Sequence, residues 1–349
     1  MDPVKLAVVG AGLIGMKHAE LIAGDDACSL VGICDVDPSC SSVADGFGVP
    51  FYQHVADLLK TARPEGVIVS TPNSHHASVV ELCARNSVHV LVEKPIADSM
   101  EASIRIIDIA DRMGIRVLVG HHRRHSPLIQ KARDVVQSGR LGRLISVSMI
   151  WALLKPTTYF DLEWRKKRPG GGPALINLIH ELDILRFICG EASEVYAQSS
   201  SSARKFEVED SLSISILLKN GAVASIIASD ATPSPWSYEA TSHENPQYFH
   251  TDENCYHFFG ARASLGFPKM DLWSYSDRER LGWQHPLSKS EVPVVKADPL
   301  EAQLKHFCRV VKGEEYPMVD GRDAARSLAV VLGVLKSMDT NVPVLIETP

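Results

Sequence analysis

No run of apolar residues in this sequence is long enough to span a bilayer: the longest, Leu6 to Met16 and Ile145 to Leu154, fall far short of the ~20 residues a spanning helix needs. Paired metal-ligand spacings are missing as well. The seven cysteines (28, 34, 40, 83, 189, 255 and 308) form no C-x-x-C pair and no Cys/His knuckle, which argues against a zinc site and against a disulfide framework. Reduced thiols point to the cytoplasm. The opening Met1-Asp2-Pro3 shows neither the basic segment nor the cleavage site of a secretory leader. Positive charge is not in excess: 36 Lys+Arg stand against 42 Asp+Glu, a net −6, so no broad basic field exists for nucleic acid or an anionic membrane. With 45% hydrophobic and 22% charged residues, the composition excludes disorder, collagen and coiled coil, and 349 residues suffice for about two domains.

What is present has a clear order. To about residue 122, short β-branched runs alternate with amphipathic stretches, the pattern of a parallel sheet built from βαβ units. Strands are expected at 4–9, 29–34, 66–70, 88–92 and 116–119, with helices near 13–23, 75–86 and 100–113. The strands are apolar throughout, as strands buried on both faces are. After residue 123 the texture changes. A helix over 127–138 precedes a strand over 144–153, and Pro169-Gly170-Gly171-Gly172-Pro173 introduces an apolar helix over 174–189. Strands then follow in succession at 195–200, 210–219, 222–229, 256–259, 263–267 and 270–275. The expected fold is α/β: an N-terminal Rossmann parallel sheet in residues 1–123, then a C-terminal α+β domain in 124–349 with an antiparallel or mixed sheet. Residues 233–254, rich in Pro, Ser, His and aromatics, form a long excursion of the kind that is usually functional or mobile.

Gly10-Ala11-Gly12-Leu13-Ile14-Gly15 follows the first strand and opens the first helix, the context a dinucleotide fingerprint requires. Gly10 allows the tight turn, Gly12 lets a pyrophosphate approach the backbone, and Gly15 permits close packing of helix on strand. The helix start at Leu13 and Ile14 offers its amides and dipole to phosphates. Asp35 ends the second strand, placed for a carboxylate on the adenosine ribose hydroxyls, where it would repel a 2′-phosphate. No Arg or Lys lies between Val36 and Asp45. The expected cofactor is NAD rather than NADP.

Glu93-Lys94-Pro95 follows the fifth expected strand, at the carboxyl edge of the sheet where ligands of open α/β folds bind. A lysine there can donate to a substrate oxygen, although taken alone it reads more readily as a solvated surface lysine. On the helix over 174–189, Leu175, Leu178, Ile179, Leu182 and Leu185 form the apolar stripe, and His180 lies off it, with Asn177 three residues before and Asp183 three after. Such a histidine is either a proton-exchanging group held in one tautomer by its neighbours or a satisfied structural residue. Together, the glycine turn, Ser70-Thr71-Pro72-Asn73 with His76, Glu93-Lys94-Pro95, and Gly170-Gly171-Gly172-Pro173 followed by His180 and Asp183 resemble the glucose-fructose oxidoreductase / inositol dehydrogenase / rhizopine catabolism family (Gfo/Idh/MocA), over essentially the whole chain.

The resemblance implies a C-terminal domain with a large open, mainly antiparallel sheet that often makes the oligomer interface, so a homodimer or homotetramer is expected. It implies NAD(P)-dependent chemistry on sugars, polyols and related hydroxy compounds, with Lys94 as the family lysine and His180 as the acid/base histidine. It puts Thr71, Pro72, Asn73, His76 and Glu93 on the cofactor side and Trp164-Arg165 near the nicotinamide. Ile176 departs from the pattern, since many members carry aspartate there, so Asn177 or Asp183 must orient His180. Arg123, at the passage between domains, is expected on both cofactor and substrate sides. Arg123 and Lys155 are the cations best placed for a carboxylate or sugar hydroxyls, and Trp151, Tyr159 and Trp236 read either as an apolar wall for a ring or as core packing. No metal is expected, because His121 and His122 lack further ligands at convincing spacing. The functional expectation is hydride transfer between NAD and a secondary hydroxyl of a sugar, cyclic polyol or sugar acid. The alternatives are oxidation of a cis-dihydrodiol carboxylate and a non-catalytic NAD-binding sensor or scaffold.

Overall fold

The computed structural model describes residues 2–277 and 279–347. The chain divides into two units: residues 2–122 together with Leu300–Leu328, and Arg123–Pro299 together with residues 329–347.

In the first unit six parallel strands, β1 (Val4–Val9), β2 (Cys28–Cys34), β3 (Phe51–Tyr52), β4 (Gly66–Val69), β5 (His89–Val92) and β6 (Val117–Val119), lie in the order 3-2-1-4-5-6. Every residue of β4 and β6 is buried, as a sheet covered by helices on both faces requires. Between β1 and β4 the order reverses, which is the switch point where such sheets bind ligands beyond the strands' carboxyl ends. Sequence periodicity does not anticipate β3 or the helices Ser41–Phe47 and Val55–Ala62, since a two-residue strand has no alternation to read.

The assignment of all residues after 123 to the second domain differs from the observed division. The helix Pro299–Val311 belongs to the first unit, because Leu304, Phe307 and Cys308 enter the same core as Val4, Leu6 and Ile33. Gly66 makes room for it: a Cβ there would stand 3.0 Å from the Phe307 ring. A return of the chain to an earlier core leaves no local mark in the sequence.

The second unit is a nine-stranded sheet: β7 (Leu144–Ala152), β8 (Ala192–Ser200), β9 (Ser211–Leu218), β10 (Val223–Ser229), β11 (Tyr256–Gly260), β12 (Ala263–Phe267), β13 (Asp271–Tyr275), β14 (Leu287–Glu291) and β15 (Val344–Leu345). Their order is 14-13-12-11-7-10-9-8-15. Among the described residues only the β7–β10 pair is parallel, so the sheet is mainly antiparallel. Burial alternates along β9 and β10, with Leu212, Ile214, Ile216, Ala224 and Ile226 inward and Ser213, Ser215 and Ser225 outward. The period of two dictates that one face is core. The outer face also carries exposed Leu217, Val223, Ile227, Phe259 and Trp273. Among the described residues no helix is long and apolar enough to cross a membrane.

Candidate active site

At the end of β1 the chain turns on Gly10, whose φ of +99° lies where side chains are strained and whose added Cβ would stand 2.6 Å from the backbone of Ser70. Ser70 Oγ closes the turn by donating to Gly10 O at 2.8 Å. Gly15 packs against the same hydroxyl, an added Cβ lying 2.7 Å from it, whereas one at Gly12 would meet nothing within 4 Å. Gly12 caps the helix Leu13–Ala23 with no side-chain hydrogen bond, so the first amides of that helix have no side-chain acceptor at the cap. Leu13 is 80% exposed beside them. The Asp35 carboxylate reaches over this turn, Oδ2 accepting from Ala11 N at 2.7 Å and Oδ1 from Asp37 N at 2.9 Å. The buried Thr71 Oγ1 has no hydrogen-bond partner among the described residues. An open glycine face, uncapped helix amides, a fixed carboxylate and an orphaned hydroxyl suit the phosphates, ribose and amide of a dinucleotide.

Two residues expected on the cofactor side have other employment. His76 is fully buried and faces backbone oxygens with both ring nitrogens, Nε2 at 2.9 Å from Thr71 O and Nδ1 at 3.1 Å from Pro95 O. Burial lowers its pKa in spite of these bonds. In the neutral form one nitrogen donates, and the ring staples the Thr71 loop to the segment after Lys94. Glu93 is buried against His18 of the first helix, Oε1 to Nε2 at 2.8 Å, and its Oε2 accepts from Lys94 N at 3.2 Å. Burial alone would raise the Glu93 carboxyl. The His18 hydrogen bond and charge, with Lys94 and His122, prevail and hold it at about 2. Against an unfolded carboxyl near ~4.3, this stability is complete above about pH 4.5 and is lost only as pH falls toward 2. Urea unfolding of the wild type and Glu93→Gln across that window checks the point: the wild-type advantage should vanish at the acid end. Lys94 itself is half-buried, and Lys94-Pro95 is a cis peptide. His18 was not singled out by sequence, although its place on the buried face of the helix with Gly15 and Ala19 was a signal.

In the second unit the helix expected over 174–189 is two helices, Pro173–Ile176 and Leu178–Cys189, parted by Asn177 at φ −109°. Glu209 Oε1 accepts from Ala174 N at 2.9 Å at the start of the first. His180 is buried near the start of the second, its N–H donating to Asn177 O at 3.0 Å. The groups expected to orient or surround it have charged partners of their own. Asp183 accepts a fork from Arg124, at 2.9 Å from Nε and 2.6 Å from Nη2. Asn177 Oδ1 accepts from Lys155 Nζ at 2.7 Å. Arg123 joins Glu181 and Glu239, each at 2.6 Å, with the Tyr238 ring centroid 4.1 Å from its guanidinium carbon. Lys155 also lies 3.3 Å from Asp230.

Aromatic and loop residues complete the account. Trp151 is fully buried and donates Nε1–H to Glu239 Oε2 at 3.1 Å, so it belongs to the core rather than to an apolar wall. Tyr159 is half-buried between the cations Arg165 and Lys155, 4.0 and 4.4 Å from its ring centroid. Trp164 stands half exposed, and Arg165 Nη1 donates to Tyr159 O at 2.6 Å. Sequence reasoning missed Glu181, Glu239, Asp230 and Arg204. Their signal was charge inside apolar runs: a buried helix that includes Glu181, Asp183 and Arg186 must find partners for them.

A parallel 3-2-1-4-5-6 sheet, with this glycine turn and acid at its switch point, defines a dinucleotide-binding α/β protein joined to a second α+β domain. Residues 4–121 match the family model for an oxidoreductase family with NAD-binding Rossmann fold, and residues 129–265 match the GFO/IDH/MocA C-terminal domain. The chain belongs to the Gfo/Idh/MocA oxidoreductase family, and its first unit is an NAD-binding Rossmann domain. It is 26% identical to the 1,5-anhydro-D-fructose reductase of Ensifer adhaerens over 298 residues, 84% of this chain and 83% of that one. To the rhizopine catabolism protein MocA of Rhizobium meliloti it is 28% identical over 193 residues, 55% of this chain, and it spans only 59% of that relative's length. The WlbA dehydrogenase of Bordetella pertussis, crystallised with NADH and UDP-GlcNAcA, shares the fold with a TM-score of 0.81 at 23% identity, covering 99% of this chain and 100% of that one.

Proposed function

We propose that this protein is an NAD-dependent dehydrogenase that interconverts a secondary hydroxyl and a ketone on a sugar or cyclic polyol. The observation that carries the reading is the setting of Lys94. It follows β5 at the ligand-binding edge of the sheet, directly after a carboxylate that stays ionised through its pairing with His18. NAD, when bound, supplies the hydride acceptor. Lys94 donates a hydrogen bond to the substrate oxygen, and His180 takes the hydroxyl proton through its imidazole. Gly10, Gly12, Gly15 and Asp35 hold the dinucleotide, with Thr71 and Asn73 beside them.

Uncharged hydroxyls are favoured over a sugar acid or a dihydrodiol carboxylate. Arg123, Arg124 and Lys155, the cations that would read a carboxylate, are each already bound to internal carboxylates. The anhydro-sugar reductase among the relatives supports the same class. The test is NADH formation followed by absorbance with NAD and a panel of sugars, inositols, sugar acids and carboxylated cis-dihydrodiols. Turnover confined to neutral sugars or inositols is expected. Turnover only with the carboxylated members would overturn the substrate class, and silence across the panel with NADH bound would favour the sensor reading.

NAD preference rests on Asp35. Asp35→Ser combined with Val36→Arg is expected to shift the NADP-to-NAD ratio of kcat/KM by about tenfold or more, as removal of a like-charge clash should. An unchanged ratio would show that Asp35 does not make the choice. Assembly as a homodimer or homotetramer through the outer face of the second sheet is supported by its exposed Leu217, Val223, Ile227, Phe259 and Trp273. Sedimentation of a monomer at micromolar concentration would refute it.

A further inference from the structure

Lys155 lies three residues beyond the end of β7 at Ala152, and its ammonium is surrounded. Nζ donates to Asn177 Oδ1 at 2.7 Å, stands 3.3 Å from Asp230 Oδ2, and sits 4.4 Å from the centroid of the Tyr159 ring. Those three neighbours account for the three N–H bonds of an ammonium. The bracket behind it is firm. Lys155 N donates to Asp230 O at 2.9 Å, Arg204 Nε donates to Asp230 Oδ1 at 2.9 Å, and Arg204 Nη2 donates to Lys155 O at 3.1 Å. Only 8% exposed, Lys155 has little surface to give to a ligand.

This bracket decides how the Asn177 amide is turned. An ammonium only donates, so the atom facing it must be the amide oxygen, and the usual ambiguity between oxygen and nitrogen of an asparagine is removed by chemistry. Nδ2 is then directed away from Lys155 as a donor on a half-buried side chain, and among the described residues the amide's hydrogen bond is the one to Lys155. Asn177 is half-buried at the break between two helices, and its carbonyl accepts from the backbone of His180. A cation hydrogen-bonded to the amide oxygen polarises the group and strengthens the opposite N–H as a donor. The best acceptor for such a donor is an oxygen rich in electron density, a ketone or a ring hydroxyl.

We propose that Asn177 donates a hydrogen bond to an oxygen of the substrate beside His180, and that Lys155 is a positioning residue that sets the amide's orientation. The inference rests on the dehydrogenase reading above. It also replaces both sequence expectations for these residues, imidazole holder for Asn177 and ligand cation for Lys155.

Asn177→Asp separates this from a structural role. The aspartate keeps an oxygen for Lys155 and gains a charge pair with it, but it has no N–H to donate. Thermal stability should be equal or higher and NADH affinity by fluorescence unchanged, while kcat/KM falls about 10- to 100-fold, the loss of one hydrogen bond to the substrate oxygen with a carboxylate left facing it. Lys155→Met should lose a similar factor by releasing the amide, and Lys155→Arg should recover part of it. In wild-type protein labelled with ¹⁵N-asparagine, addition of the ketone product should shift one side-chain amide pair, a reading that needs no variant to fold. Asn177→Asp turnover within twofold of wild type, or asparagine amides unmoved at saturation, would overturn the proposal while leaving the dehydrogenase reading standing. Absence of wild-type turnover on the whole panel would overturn the dehydrogenase reading first, and this inference with it.

Discussion

Lys94→Ala is expected to lower kcat by about a thousandfold while the Kd for NADH stays within about threefold of wild type, the range a positioned proton or hydrogen-bond donor contributes. The asymmetry follows from what surrounds the residue. Lys94 is half-buried at the tip of the loop, whereas the groups that shape the loop are its neighbours: Glu93, locked to His18, and His76, which spans the Thr71 loop and Pro95. Truncating Lys94 removes an ammonium and its lesser share of the field on Glu93, but neither the His18–Glu93 nor the His76 hydrogen bonds, so the dinucleotide turn at Gly10 and Asp35 should persist. Stability should change by less than about 1 kcal/mol, as for other exposed or half-exposed sites. Steady-state rates with the responding substrate, together with NADH fluorescence titration, check both halves. A rate near wild type would refute the role given to Lys94, and a parallel loss of NADH binding would mean that the lysine serves the cofactor rather than the reacting oxygen.

Arg123→Met is expected to destabilise the protein by about 3 to 5 kcal/mol, the cost of leaving buried charges without a partner. Arg123 serves two carboxylates at 2.6 Å, and Glu181 is fully buried with a second oxygen that has no hydrogen-bond partner among the described residues. Burial raises the Glu181 pKa even with Arg123 present. Without the guanidinium, Glu181 should therefore take up a proton on folding. A carboxyl whose folded pKa lies above its unfolded value favours folding more as pH falls, so the deficit of the variant should shrink toward pH 5. Adding Glu181→Gln should recover part of the loss at neutral pH. Arg123→Lys should not, because one ammonium cannot present the planar fork that reaches Glu181 and Glu239 at once. Urea unfolding of the wild type and the three variants at pH 7.5 and 5.5 gives all eight numbers. A loss below about 1 kcal/mol that is flat with pH would show that water reaches this cluster and screens it.

The two variants probe parts of the molecule that were unequally visible in the sequence. Gly10, Gly12 and Gly15 stand after a strand and open a helix because a local requirement, a turn tight enough to seat a helix end over β1, can be met only by glycine at fixed spacing. Asp35 follows the same logic at the end of β2. These are short-range demands, and short-range pattern reveals them. His18 and Glu93 are 75 positions apart, and Arg123 and Glu239 are 116 apart. No periodicity links such pairs, and a lone cation read along the chain looks like one waiting for a ligand. Arg123 and Lys155 invited that reading, yet each lies within 3.3 Å of a buried carboxylate.

The sequence by itself determined the class of fold, the two-part organisation, the dinucleotide turn and the family, because strand alternation, glycine spacing and cap chemistry act over a few residues. Only the tertiary structure decided that the helix Pro299–Val311 returns to the first unit's core. The same is true of the break at Asn177, which parts the His180 helix, and of which charges are spent internally. Burial is the reason in each case. A charged or polar side chain taken out of water must be paired, and the identity of its partner is a property of three-dimensional packing that the order of residues along the chain does not carry.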